Sequence, residues 1–152
     1  ERLLRLPLAG PVLFEFEMSK FARTVGTLLG NGVSLLKAIS IAIDTVDNRV
    51  LKTSLGVLPP AVKAGRRMST ALEETGMFTP MVIQMTRVGE ESGNLGPMML
   101  ELARVFDEHV QSGIKRGLAM LVPLLILTMG LVIAVIIIAI LMGIMSVNDL
   151  AI

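Results

Sequence analysis

From Gly117 to Asn148 the sequence has no Asp, Glu, Lys or Arg. At about 1.5 Å of rise per helical residue, this run is longer than the roughly 30 Å hydrocarbon core of a bilayer requires. Its centre, Leu131-Val132-Ile133-Ala134-Val135-Ile136-Ile137-Ile138, is apolar on every helical face, and a chain of 152 residues has no core that could bury it. A hydrophobic fraction of 53% points the same way, because a soluble domain of this size cannot hide that much apolar surface. A transmembrane helix is therefore expected over residues 117–145, with Leu118 to Met142 enough to cross. Lys115 and Arg116 stand immediately before it and only Asp149 follows it. By the positive-inside rule the N-terminal part is expected in the cytoplasm and 146–152 as a periplasmic tail. Pro123 removes a backbone donor early in the span, and Gly130 and Gly143 leave room for a neighbouring helix.

Upstream, the period is helical throughout. Phe14, Phe21, Val25, Leu28 and Leu29 form one stripe, ended by Gly30-Asn31-Gly32. Ser34 is placed to cap a second helix bearing Leu35, Ile39, Ala42, Ile43 and Val46, and a third carries Leu51, Leu55, Leu58 and Val62. Pro59-Pro60 predicts a kink or restart there, with Leu58 pushed out of the α region. Ser69 or Thr70, with Glu73, resembles a capping box for a short fourth helix ending at Gly76. Thr79-Pro80 opens a fifth, with Met81, Met85 and Val88 inward. Asn94 can cap a sixth carrying Met99, Leu102, Val105, Phe106 and Val110, and no proline separates it from the span before Pro123. No segment alternates with period two. The expected fold is an all-α antiparallel bundle of about six helices over 14–116, preceded by a membrane-proximal segment 1–13 and followed by one transmembrane helix.

Catalytic chemistry finds few candidates. Cysteine is absent and His109 is the one histidine, which excludes disulfides, thiolate zinc sites and His-clustered metals. There is no Trp or Tyr to stack bases, and 14 basic against 13 acidic residues give no nucleic-acid footprint. Adjacent carboxylates on a helix, as at Glu73-Glu74 and Glu90-Glu91, point about 100° apart, so one member is expected to be bonded and the other solvated. Gly89-Glu90-Glu91-Ser92-Gly93-Asn94-Leu95-Gly96 lacks the Lys-Ser/Thr ending of a phosphate loop and follows no strand. It reads as a corner between helices, with Gly93 at positive φ and Ser92 or Asn94 binding free amides. The eleven methionines are dispersed, and Met81, Met85, Met98 and Met99 fall at core spacing. No enzyme activity, cofactor or metal is expected.

Several of these residues together carry a resemblance. Leu6-Pro7 and Gly10 come first, then Phe21-Ala22-Arg23-Thr24, Leu28-Leu29 and Gly32-Val33-Ser34-Leu35, then Asn48, Gly65, Ser69, Ala71-Leu72, Phe78 and Pro80. Val88-Gly89-Glu90-Glu91-Ser92-Gly93-Asn94-Leu95 is the most specific piece. In this order the chain resembles the C-terminal half of the type II secretion F family, the polytopic inner-membrane platform proteins of type II secretion and type IV pilus machines.

The resemblance implies a scaffold that couples a cytoplasmic assembly ATPase to assembly of pilin or pseudopilin subunits, acting as a homo-oligomer among other inner-membrane components. Gly89, Glu90, Glu91, Ser92, Gly93 and Leu95 are its family-motif residues, expected to be either structural or partner-facing. A stiff helix joining bundle to span would transmit torque or tilt. The alternative from another class is a transport or channel subunit with a helical cytoplasmic domain, which an uncharged span disfavours.

Overall fold

A computed structural model describes residues 9–151. Leu6 and Pro7, and with them most of segment 1–13, lie outside the described residues. Seven α-helices and no strand occur among those that are described: α1 (Ala9–Gly30), α2 (Leu35–Asp44), α3 (Arg49–Leu55), α4 (Leu58–Lys63), α5 (Met68–Thr75), α6 (Pro80–Ser92) and α7 (Leu95–Leu150). The expected third helix is split into α3 and α4, and the expected sixth helix and the span are one element, α7. The chain divides into two compact units, Glu1–Gly113 and Ile114–Ile152.

In the first unit the apolar stripes meet as one core. Phe21 and Val25 of α1, Ile39 and Ala42 of α2, Leu51, Leu55 and Leu58, Leu72 of α5, and Met99, Leu102 and Phe106 of α7 are all buried. Each large side chain removed from water in this way contributes about 1.5–3 kcal/mol. The stripe expected on α6 is shifted: Val82, Thr86 and Gly89 face inward, Met81 and Met85 are half-buried, and Val88 is exposed. Thr86 tolerates burial because its hydroxyl donates to the Val82 carbonyl at 2.8 Å.

Contacts between helices give their directions. Val12 of α1 lies near Gly113 of α7, Glu15 pairs with His109, Ser19 and Arg23 both bind Asp107, and Gly26 packs near Gly96 and Leu100. Rising numbers on α1 meet falling numbers on α7, so the two are antiparallel. The same holds for α5 and α6, where Ser69 meets Glu90 and Glu73 meets Arg87. At the first of these crossings a side chain on Gly26 would come within 2.8 Å of Leu100 Cγ and 2.9 Å of the Gly96 carbonyl. The close approach of α1 and α7 therefore needs glycine.

The break between α3 and α4 falls at Gly56 and Val57, ahead of the prolines. Pro59 and Pro60 sit in the first turn of α4, where a missing amide leaves no hydrogen bond unmade, so Leu58 stays helical, contrary to the expectation. Helix α1 is already helical over Ala9 to Leu13, ahead of the stripe that opens at Phe14. In the second unit every described residue from Ile114 is exposed, and α7 there carries the uncharged run as regular helix through Pro123. Its most apolar 18-residue window has mean hydropathy 3.3 and none of it is buried, which makes this helix long and apolar enough to cross a membrane.

Candidate functional site

The motif singled out in the sequence is the corner between α6 and α7. Helix α6 ends at Gly93, whose φ of 71° is left-handed, a conformation glycine adopts without strain. The Asn94 amide returns to the Gly89 carbonyl at 2.9 Å, which closes the turn. Ser92 does not bind a free amide as expected; its hydroxyl donates to the Val88 carbonyl at 2.7 Å. Asn94 contributes backbone groups, its carbonyl accepting from the Met98 amide at 3.1 Å. Gly89 is where the two helices touch: a Cβ there would lie 3.0 Å from both Leu95 Cα and Met98 Cβ. Leu95 packs against the core edge.

The carboxylate pair separates as adjacent helical residues must. Glu90 turns toward α5, where Oε1 accepts from the Ser69 amide at 2.8 Å and Oε2 from the Ser69 hydroxyl at 3.1 Å. Ser69 is completely buried in the second position of α5, so Glu90 satisfies one of the orphan amides of that helix start and complements its positive end. The capping box expected from Ser69 or Thr70 with Glu73 is therefore not formed. Arg67 is the residue at the N-cap and offers no side-chain acceptor, so the cap comes from Glu90, 21 residues on. Glu91 points outward and lies 3.5 Å from Arg67 Nη1. Arg87 and Glu73 add a third tie between α5 and α6, at 2.8 Å.

A second polar cluster fixes the α2–α3 turn. Glu17 of α1 is buried; its Oε2 accepts from the Asp47 amide at 2.8 Å and its Oε1 pairs with Lys20 Nζ at 3.1 Å. Lys20 Nζ also donates to the Thr45 carbonyl at 3.1 Å and reaches Asp47 at 3.4 Å. Partial burial pulls the Lys20 ammonium down, but the hydrogen bonds and charges of Glu17 and Asp47 outweigh it and hold its pKa above the ordinary lysine value. On the open side of α7, the hydrogen bond from Arg104 holds the Glu101 carboxyl below the usual range, and Glu101 with Glu108 raises Arg104 in return.

None of this assembles a reactive centre. The carboxylates at the corner are bonded to an amide or to arginine, and His109 is half exposed beside Glu15 at 3.5 Å. Among the described residues no three His, Cys, Asp or Glu side chains converge as metal ligands. Lys115 and Arg116, named as topology markers, are exposed on α7 at the start of the second unit. Ser69 and Gly96 stand out in the sequence, but not the pairing of Ser69 with Glu90 nor the crossing of Gly96 with Gly26.

Comparison with known proteins gives this arrangement a family. The model for the type II secretion system (T2SS) protein F matches residues 21–143. The chain is 34% identical over 97% of its length to the type II secretion system protein F of Pseudomonas aeruginosa and 37% identical over 82% to that of Xanthomonas campestris pv. campestris. It is 31% identical over 84% to the type IV pilus assembly protein PilC of Myxococcus xanthus. It spans only 36%, 31% and 30% of those proteins' own lengths. With a match over most of a helical head and the apolar helix that follows it, the chain belongs to the type II secretion system protein F family.

Proposed function

We propose that this chain is the membrane-anchored head of an inner-membrane platform in a type II secretion or type IV pilus machine. In that role it couples a cytoplasmic assembly ATPase to the assembly of pilin or pseudopilin subunits, and it catalyses no reaction itself. The observation that carries the reading is the family match across 21–143, which runs through the bundle and into the apolar part of α7. The lack of a convergent catalytic set among the described residues agrees with a scaffold. The head, 14–116, lies in the cytoplasm with Lys115 and Arg116 at the membrane surface, 117–145 crosses, and 146–152 is periplasmic. The platform is a homo-oligomer in contact with lipid and with the machine's other inner-membrane components.

At the corner, Gly89, Glu90 and Leu95 set the angle between α6 and α7, and Glu91, Ser92 and Gly93 present an outward edge to a partner. Deleting the segment from the host genome tests the reading. Loss of protein secretion or of pili, restored by the wild-type gene, supports it; unchanged secretion and piliation would refute it.

A further inference from the structure

Helix α7 is held in two ways along the head. Near its start it belongs to the core: Met99, Leu102, Ala103 and Phe106 are buried, and Gly96 lies against α1. Asp107, directly after Phe106, takes both the buried Ser19 and Arg23 of α1. Beyond it the character of the contact changes. No residue from Glu108 to Gly113 is buried, and Val110 does not pack against the core. Among the described residues, what ties this stretch to α1 is His109, 3.5 Å from Glu15, and Gly113, against Val12.

This contact has a definite shape and little strength. A Cβ on Gly113 would meet Val12 Cγ2 at 2.6 Å, so glycine is what lets the two helices close here. His109 is 50% exposed, and a contact such as its own with Glu15, open to water, adds little to stability. Opening this end strands no buried hydroxyl, because Ser19 stays with Asp107. Few buried apolar contacts, and polar ties that water can replace, mark the parts of a fold that open locally. The bend required is small: moving Gly113 by about 2.5 Å at the end of a lever of about 9 Å takes about 16°, short of the sharp kinks that need proline or a bulge. A fixed strut would be built the other way, with apolar side chains buried along the whole seam.

We infer that residues 109–113 of α7 form a releasable strap, docked on α1 at Glu15 and Val12 and freed by a bend beyond Asp107 while the platform works. The strap ends where the first unit ends, four residues before the uncharged run opens at Gly117. Its release frees the stretch of chain through which a motion of the head reaches the span. The inference rests on the platform reading for the work this motion serves, and adds to that reading a part that must move.

The test locks the strap in the full chain, in host cells that secrete or bear pili. A Cβ on Gly113 would lie 3.9 Å from Val12 Cβ, inside the range of about 3.5–4.5 Å that a disulfide spans, and the chain has no cysteine of its own. Val12→Cys with Gly113→Cys is expected to close on mild oxidation, to lower secretion or piliation about tenfold or more, and to recover on reduction. Bridging the same pair with a long, flexible bis-maleimide leaves the strap free and keeps function. If Gly113→Cys unfolds the head, Glu15→Cys with His109→Cys, bridged by a short or a long bis-thiol reagent, repeats the comparison. Function that survives the short bridge overturns the inference. So does function lost with bridges of either length, failure of the oxidised pair to close in a folded head, or inactivity of both pairs before any bridge is made. A harmless short bridge in a host where deletion of the segment abolishes secretion or piliation removes the strap alone; a deletion without effect removes the platform reading, and the strap with it.

Discussion

Glu90 ties α6 to α5 through a single buried serine, and the consequence is measurable. Glu90→Ala leaves the Ser69 amide and hydroxyl buried without an acceptor, and the head loses about 1–3 kcal/mol, read as an earlier thermal transition in circular dichroism of the detergent-solubilised chain. Glu91→Ala, at an exposed pair with Arg67, changes stability by less than about 1 kcal/mol. Gly89→Ala sets a Cβ 3.0 Å from the Leu95 backbone, so α6 and α7 must separate at a cost of about 1–3 kcal/mol.

Lys20 predicts a pH dependence. Its folded pKa is raised above the ordinary 10.5, so its contribution is complete below that value and is lost as pH rises through the folded one. The stability gap between the parent and Lys20→Met is therefore constant from about pH 7 to 9 and closes above about pH 10.5. Of these residues the sequence shows the motif but not the roles. That one member of Glu90-Glu91 is bonded follows from helix geometry; that its partner is Ser69 depends on a contact 21 residues away, which no local pattern reports.

At the scale of elements, local signals worked where they were local. Gly76 and Gly93 end α5 and α6 at left-handed φ, and Thr79-Pro80 opens α6. The reading failed where tertiary contacts decide. The α5 start was displaced because its cap comes from α6. The inward face of α6 was misplaced because Thr86 and Gly89 are not apolar, so a stripe drawn through apolar residues chose Val88 instead.

Helix α7 carries a prediction of its own. It is one element from Leu95 to Leu150, and Gly113, where a Cβ would meet Val12 Cγ2 at 2.6 Å, is the last residue of the first unit. Inserting several flexible glycines after Gly113 is expected to abolish secretion or pilus assembly while the head keeps its thermal transition. Normal assembly with the insertion would show that continuity of α7 is dispensable.

For the molecule as a whole, family membership and the apolar helix were both legible in sequence, because lipid demands an uncharged run that few other environments permit. The proposed function depends on that helix being in the membrane with its head on the cytoplasmic side. The chain has no cysteine, so single cysteines introduced at Ser40, Val135 and Ala151 report directly on both points. With a membrane-impermeant maleimide applied to cells with a permeabilised outer membrane, the account predicts labelling at 151 alone. Opening the inner membrane adds labelling at 40, and 135 reacts only after detergent denaturation. Labelling at 135 without detergent, or at 40 while the inner membrane is intact, would contradict it.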